Sequence, residues 1–201
     1  MSYRAASIPQ KSPYLARCAA WLALCFIATA APVARAQDES KLTLRDVEVA
    51  LDEDVYVLDA KVDLTLPEGA RRAVESGLTL RLTYEITVDR VRRYLPDAGI
   101  AALEQRYEVS YHALSQRYLV KNLNTGEQQD FGSLQAALDR VGELHGLPVI
   151  DAALVSDGPV YEGRIRAVLK MNTAPDVFGW LLFWTDDWSA ESDWKTWTLR
   201  P

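Results

Sequence analysis

The sequence predicts an all-β, antiparallel, sandwich-like domain with one substantial helix, about 134–145, and one short helix, about 68–75. Three observations carry that reading. Apolar and polar residues alternate with period two along three long runs. Turn signals with glycine fall between the runs. Two stretches alone carry a helical pattern between a start and a stop signal.

The first run sets Tyr56, Leu58, Ala60, Val62, Leu64 and Leu66 against the polar Asp59, Lys61, Asp63 and Thr65. The second places Leu78, Leu80, Leu82, Tyr84, Ile86 and Val88 on one face and Thr79, Arg81, Thr83, Glu85, Thr87 and Asp89 on the other. The third opposes Tyr161, Ile165, Ala167, Leu169 and Met171 to Glu162, Arg164, Arg166 and Lys170. Strands of this kind bury one face and wet the other, as antiparallel sheets do. Shorter strands are expected at about 42–50, 105–112, 116–122, 127–131 and 148–155. Asn124-Thr125-Gly126 and Asp157-Gly158 supply residues that tolerate positive φ, so 116–131 reads as a hairpin.

The short helix starts at Pro67, where a missing N–H costs no hydrogen bond, and is closed by Gly77. The longer one has Ser133 to cap its free amides. Leu134, Leu138, Val141 and Leu144 form its apolar stripe, and Gly146 and Pro148 are expected to end it. His145 would then close a helix whose dipole favours an imidazolium.

The first 37 residues contain no Asp or Glu. Arg4, Lys11 and Arg17 precede an apolar run from Cys18 to about Val33, and Ala34-Arg35-Ala36 offers small residues at the two positions a signal peptidase must accept. This order predicts a secretory signal, residues 1–36, cleaved after Ala36; the alternative is an uncleaved anchor, which Ala30, Ala31 and Pro32 weaken where it should be most apolar. Residues 37–201 then form a single domain in the periplasm, with no membrane span after cleavage. Both cysteines, Cys18 and Cys25, fall within the leader, so the mature domain has neither disulfide nor thiolate chemistry.

The leader holds four of the 22 basic residues and no acid, leaving 18 against 28 acids, a mature charge of −10. That balance disfavours nucleic acid as a partner, and anionic lipid headgroups are expected to repel the domain. Arg90, Arg92 and Arg93 form the one dense basic cluster, read as a solvated face.

Five of the six tryptophans lie between Trp180 and Trp197. Each ring buries about 150–250 Å² when enclosed, so most are expected to cap the core. The remaining possibilities are contact with a protein or peptide, sugar stacking, and insertion of Trp180–Trp184 at a membrane interface. The candidate partner-binding residues are Trp184, Asp187, Trp188, Trp194 and Trp197. Asp187-Trp188 followed by Trp194-Lys195-Thr196-Trp197, the capped helix after the Gly126-Glu127 hairpin, and the leader together resemble a family of exported proteobacterial proteins catalogued as domain of unknown function 4390. The likeness covers roughly 40–199, and the apolar run Gly179–Phe183 departs from it. It implies a periplasmic envelope accessory, with a partner related to a sensor-kinase system, and brings no catalytic residue.

No Gly-x-Ser-x-Gly elbow, phosphate loop or metal-ligand spacing is present in the sequence. Ser110 and Ser115 lie near His112, which reads as an ordinary strand residue. Asp52, Glu53 and Asp54 read as an acidic turn rather than a calcium loop. No cofactor is expected. These observations predict a non-catalytic interaction domain that binds a cell-envelope protein or peptide through sheet edges and the tryptophan segment. The alternatives are a protein that binds or processes cell-wall glycan, and a purely structural envelope protein.

Overall fold

The computed structural model describes residues 41–172 and 189–199. Ala34, Ala36 and the rest of the expected leader lie outside the described residues, as do Trp180, Trp184, Asp187 and Trp188. Asp38–Pro201 forms one compact unit.

The elements run β1 (Lys41–Asp52), β2 (Val55–Thr65), α1 (Glu68–Glu75), β3 (Thr79–Arg90), β4 (Ala98–His112), β5 (Arg117–Asn122), β6 (Gln128–Phe131), α2 (Leu134–Val141), β7 (Glu143–Asp151), β8 (Tyr161–Asn172), β9 (Ser189–Glu191) and β10 (Lys195–Leu199). A 3₁₀ turn, Ala152–Leu154, follows β7. A three-stranded sheet has the order β1-β2-β7, and a larger one the order β10-β8-β3-β4-β5-β6, with β9 also on β8. Every pairing is antiparallel. The predicted all-β, antiparallel, sandwich-like class with two helices is what the chain adopts.

The alternating runs do what their period requires. Leu58, Ala60, Val62 and Leu64 from β2, Leu80, Leu82, Tyr84, Ile86 and Val88 from β3, and Ile165, Ala167 and Leu169 from β8 enter one core with Val74 of α1 and Leu138 of α2. β3 sits between β4 and β8 over nearly its full length, which is why its residues are the most completely enclosed. Tyr84 reaches from it to donate from its hydroxyl to the Val141 carbonyl, 2.7 Å, tying the sheet to the end of α2.

Three boundaries depart from the sequence reading. α2 keeps its Ser133 cap, whose Oγ accepts from the Ala136 amide at 3.2 Å, but stops at Val141 rather than near 145. Gly142 abuts β2 there: Val62 donates to its carbonyl at 2.7 Å, and a Cβ would sit 2.6 Å from the Val62 carbonyl oxygen. The chain then joins the small sheet, pairing Glu143 with Lys61 and Leu144 with Ala60. Leu144 fits a helical stripe and a strand face equally, and the ladder with β2 decides between them. His145 therefore lies in β7, with Asp59 at 3.4 Å and Glu143 at 3.7 Å, not at a helix terminus. Second, β4 begins at Ala98, seven residues earlier than expected, because Ala98–Leu103 pairs with β3 without showing alternation. Third, 189–199 forms strands along β8, an element the tryptophan-rich composition obscured.

Candidate functional site

β9 and β10 follow the same edge of β8, separated by a kink at Ser192–Trp194. The kink is held by Ser192, whose amide donates to the Ala167 carbonyl at 2.9 Å and whose Oγ accepts from the Ala167 amide at 2.9 Å. A side-chain oxygen thus stands where a strand carbonyl would, and the same hydroxyl donates to the Asp193 carbonyl at 3.0 Å. This arrangement sends the two described tryptophans to opposite faces. Trp197 pairs with Gly163 and lays its indole over that glycine on the core side. Trp194 turns to the outer face of the large sheet, 43 % exposed, with the Arg166 guanidinium carbon 4.8 Å and that of Arg164 6.0 Å from its ring. Cations over an indole face are attracted by its quadrupole, which fixes the ring's orientation.

The arginines are fixed in turn. Arg166 donates to Glu85 at 2.7 Å and to Glu191 at 2.9 Å, and the Glu85 hydrogen bond holds its guanidinium above its ordinary value. Arg164 is paired with Asp89. Between Trp194 and β4 lies a cleft of about 450 Å³ lined by Glu85, Thr87, Ala102, Glu104, Arg106 and Trp194. Thr87 Oγ1 is buried with no hydrogen-bond partner among the described residues.

Beside this cleft the sheet is incomplete. β5 pairs only with Tyr107–His112 of β4. The next turn of ladder is closed by Asn124, whose Oδ1 accepts from the Arg106 amide at 2.9 Å and whose Nδ2 donates to the Glu104 carbonyl at 2.7 Å. Leu123 also donates to the Arg106 carbonyl, 2.8 Å. Beyond Glu104, among the described residues, nothing pairs with this side of Ala98–Leu103. Since Arg106 and Glu104 direct their backbone groups away from β3, ladder alternation gives Ala102 the same direction. Exposed edges are ordinarily blunted by charge or proline. This one reads Ala-Gly-Ile-Ala-Ala-Leu, with a register shift opposite Val88/Asp89 as its one irregularity.

Of the sequence-derived candidates, Trp194 lines the cleft and Trp197 caps the core; Trp184, Asp187 and Trp188 lie outside the described residues. Asp52, Glu53 and Asp54 form the β1–β2 turn, with Glu53 at φ 52°. His112 Nδ1 is 2.9 Å from Ser115 Oγ in the exposed β4–β5 turn, with no carboxylate partner among the described residues. Ser192, the Arg164–Arg166 pair and the β4 edge were not singled out from sequence. Gly163, breaking an otherwise bulky strand, was the available signal of a close approach.

On the outer face of this antiparallel β-sandwich, Trp194 and the arginines beneath it lie beside the stretch of β4 that β5 does not cover. A family model described as Domain of unknown function (DUF4390) matches residues 39–198, and the chain belongs to that family. No curated protein and no solved structure matches it.

Proposed function

We propose that this is an exported, periplasmic, non-catalytic interaction domain that takes an extended segment of a cell-envelope protein at the free edge of β4, beside Trp194. The observation that carries the reading is the charge-free run Ala98–Leu103, whose side away from β3 has no strand partner among the described residues, opening onto the cleft that Trp194 lines. Strand addition draws its affinity from main-chain hydrogen bonds and its selectivity from pockets for alternate side chains. Here the edge supplies the first and the cleft the second. Glu85 and Glu104 against Arg106 give the cleft both signs of charge, so the preferred segment is mixed polar and apolar rather than strongly basic or acidic.

The test is selection of peptides from a random library on Asp38–Pro201, followed by binding measurements on two variants. Ala102→Pro removes an outward N–H while leaving the β3 ladder in place, and Trp194→Ala removes one wall of the cleft. Both are expected to weaken binding at least about tenfold, the loss of roughly 1.4 kcal/mol. Selected peptides that bind both variants as well as the parent would refute the assignment. Saturable quenching by peptidoglycan fragments that disappears in Trp194→Ala would transfer the site to a glycan ligand.

A further inference from the structure

The exposed large apolar side chains are not scattered over the described surface. Six of the eight, Leu51, Val91, Tyr94, Leu95, Leu154 and Val160, collect at one end of the sandwich. The ladders place them there. Asp52 meets Val55 and Val55 meets Asp151 at the end of the small sheet, while Ala152 donates to the Asp54 carbonyl. Arg90 meets Tyr161 at the end of the large sheet, and Val91 donates to the Val160 carbonyl at 2.9 Å.

Within this end the β3–β4 tip has its own character. Tyr94 is 87 % and Leu95 63 % exposed, immediately after Arg92 and Arg93. From Arg90 to Pro96 there is no acid. Asp97 is occupied at the base of the tip, accepting from the Arg92 amide at 3.0 Å. The other acids of this end, Asp52, Glu53, Asp54, Asp151 and Asp157, lie outside the tip, in the β1–β2 turn, at the end of β7 and in the segment leading to β8.

We propose that the β3–β4 tip is a lipid-contacting finger, which seats Tyr94 and Leu95 in the headgroup region of an anionic bilayer and sets Arg92 and Arg93 against its phosphates. Charge complementarity selects this occupant: the tip carries Arg92 and Arg93 against a single acid, Asp97, held at its base, in an otherwise acidic domain. Its shape agrees, since a convex seven-residue tip offers far less than the ~800 Å² per partner of a stable protein interface, whereas a bilayer closes around it. Tyrosine and leucine beside arginine match the division between acyl boundary and headgroup. The domain's overall negative charge acts weakly, because fields from exposed charges decay within about 8–10 Å at physiological salt, whereas each arginine at an anionic surface favours binding roughly fivefold.

Vesicle sedimentation of Asp38–Pro201, itself a compact unit, tests this. Vesicles of phosphatidylcholine with about 30 mol% phosphatidylglycerol are expected to bind at least roughly tenfold better than phosphatidylcholine alone, with binding lost at high salt. Arg92→Glu/Arg93→Glu is expected to abolish the preference for phosphatidylglycerol. Tyr94→Ala/Leu95→Ala is expected to reduce binding to both vesicle types while the fold and peptide binding at β4 are retained. No binding to phosphatidylglycerol vesicles, or equal binding by the Arg92→Glu/Arg93→Glu variant, overturns the proposal. The finger and the β4 edge use different residues, so either can fail while the other stands.

Discussion

The indole of Trp197 occupies the space that a side chain at Gly163 would fill: a Cβ built on that glycine would overlap the ring. Glycine in a strand lacks a side chain to pack, and an aromatic laid across it from the neighbouring strand repairs the loss. Trp197→Ala is expected to cost about 1–3 kcal/mol, below the ~3–5 of a fully buried aromatic because the ring is half-buried. Gly163→Ala is expected to cost a similar ~1–3 kcal/mol through overpacking. The double variant should cost less than the sum by more than about 0.5 kcal/mol, since the new methyl enters vacated space. Urea unfolding of the four proteins measures the cycle; strict additivity would mean that the two residues do not share this site.

Ser192 is 7 % exposed, and its hydroxyl is the acceptor for a strand amide. Ser192→Ala leaves the Ala167 N–H without a partner in a buried position. The expected cost is about 1–2 kcal/mol, with accelerated hydrogen exchange at Ala167. An unchanged exchange rate there would show that another group replaces the hydroxyl.

Tyr84→Phe tests the tie between β3 and α2. The Val141 carbonyl loses its 2.7 Å donor inside the core, and about 1–2 kcal/mol of stability should go with it. Burial, and then the neighbouring Tyr107, push the Tyr84 phenol well above its ordinary value, which favours the protonated form that donates to Val141.

The Lys61–Glu143 pair, 3.1 Å across β2 and β7, gives a pH signature. The Lys61 hydrogen bond, then its charge, lowers Glu143 below its ordinary 4.5, and the same contacts raise Lys61 above 10.5. A lowered carboxylate contributes stability above its unfolded value and loses it as pH falls through the folded one. A raised amine contributes below its unfolded value and loses it as pH rises through the folded one. The stability difference between the parent and Glu143→Gln is therefore expected to shrink as pH falls below about 4.5 and as it rises above about 10.5. It should also fall with added salt, both groups being exposed. A difference that grows as pH falls below about 4.5 would contradict the assignment.

The strands with strict alternation were legible because one buried face requires it; β2, β3 and β8 follow directly from Tyr56–Leu66, Leu78–Val88 and Tyr161–Met171. The early part of β4 was hidden, since Ala98–Leu103 contains no polar residue to set the alternation, and its importance lies in that same lack of charge. Leu144 misled because it satisfies two periods, and only the neighbouring β2 distinguishes them. Trp194 and Trp197 were legible as important but not as different. Their separation depends on one serine hydroxyl bonding to a strand 25 residues away, a relationship without local sequence periodicity. The cation shelf beneath Trp194 likewise comes from Arg164 and Arg166 of β8, held by Asp89 and Glu85 of β3, and exists only once the sheet is formed.

The edge of β4 gives the most direct access to the proposed function. Hydrogen exchange at the Ala102 amide, followed by NMR with and without a selected peptide, reads strand addition at the bond where it would occur. Rapid exchange is expected in the free domain and strong protection in the complex, with the Ala167 amide slow in both. A tightly bound peptide that leaves Ala102 exchanging at its free rate would contradict strand addition at β4.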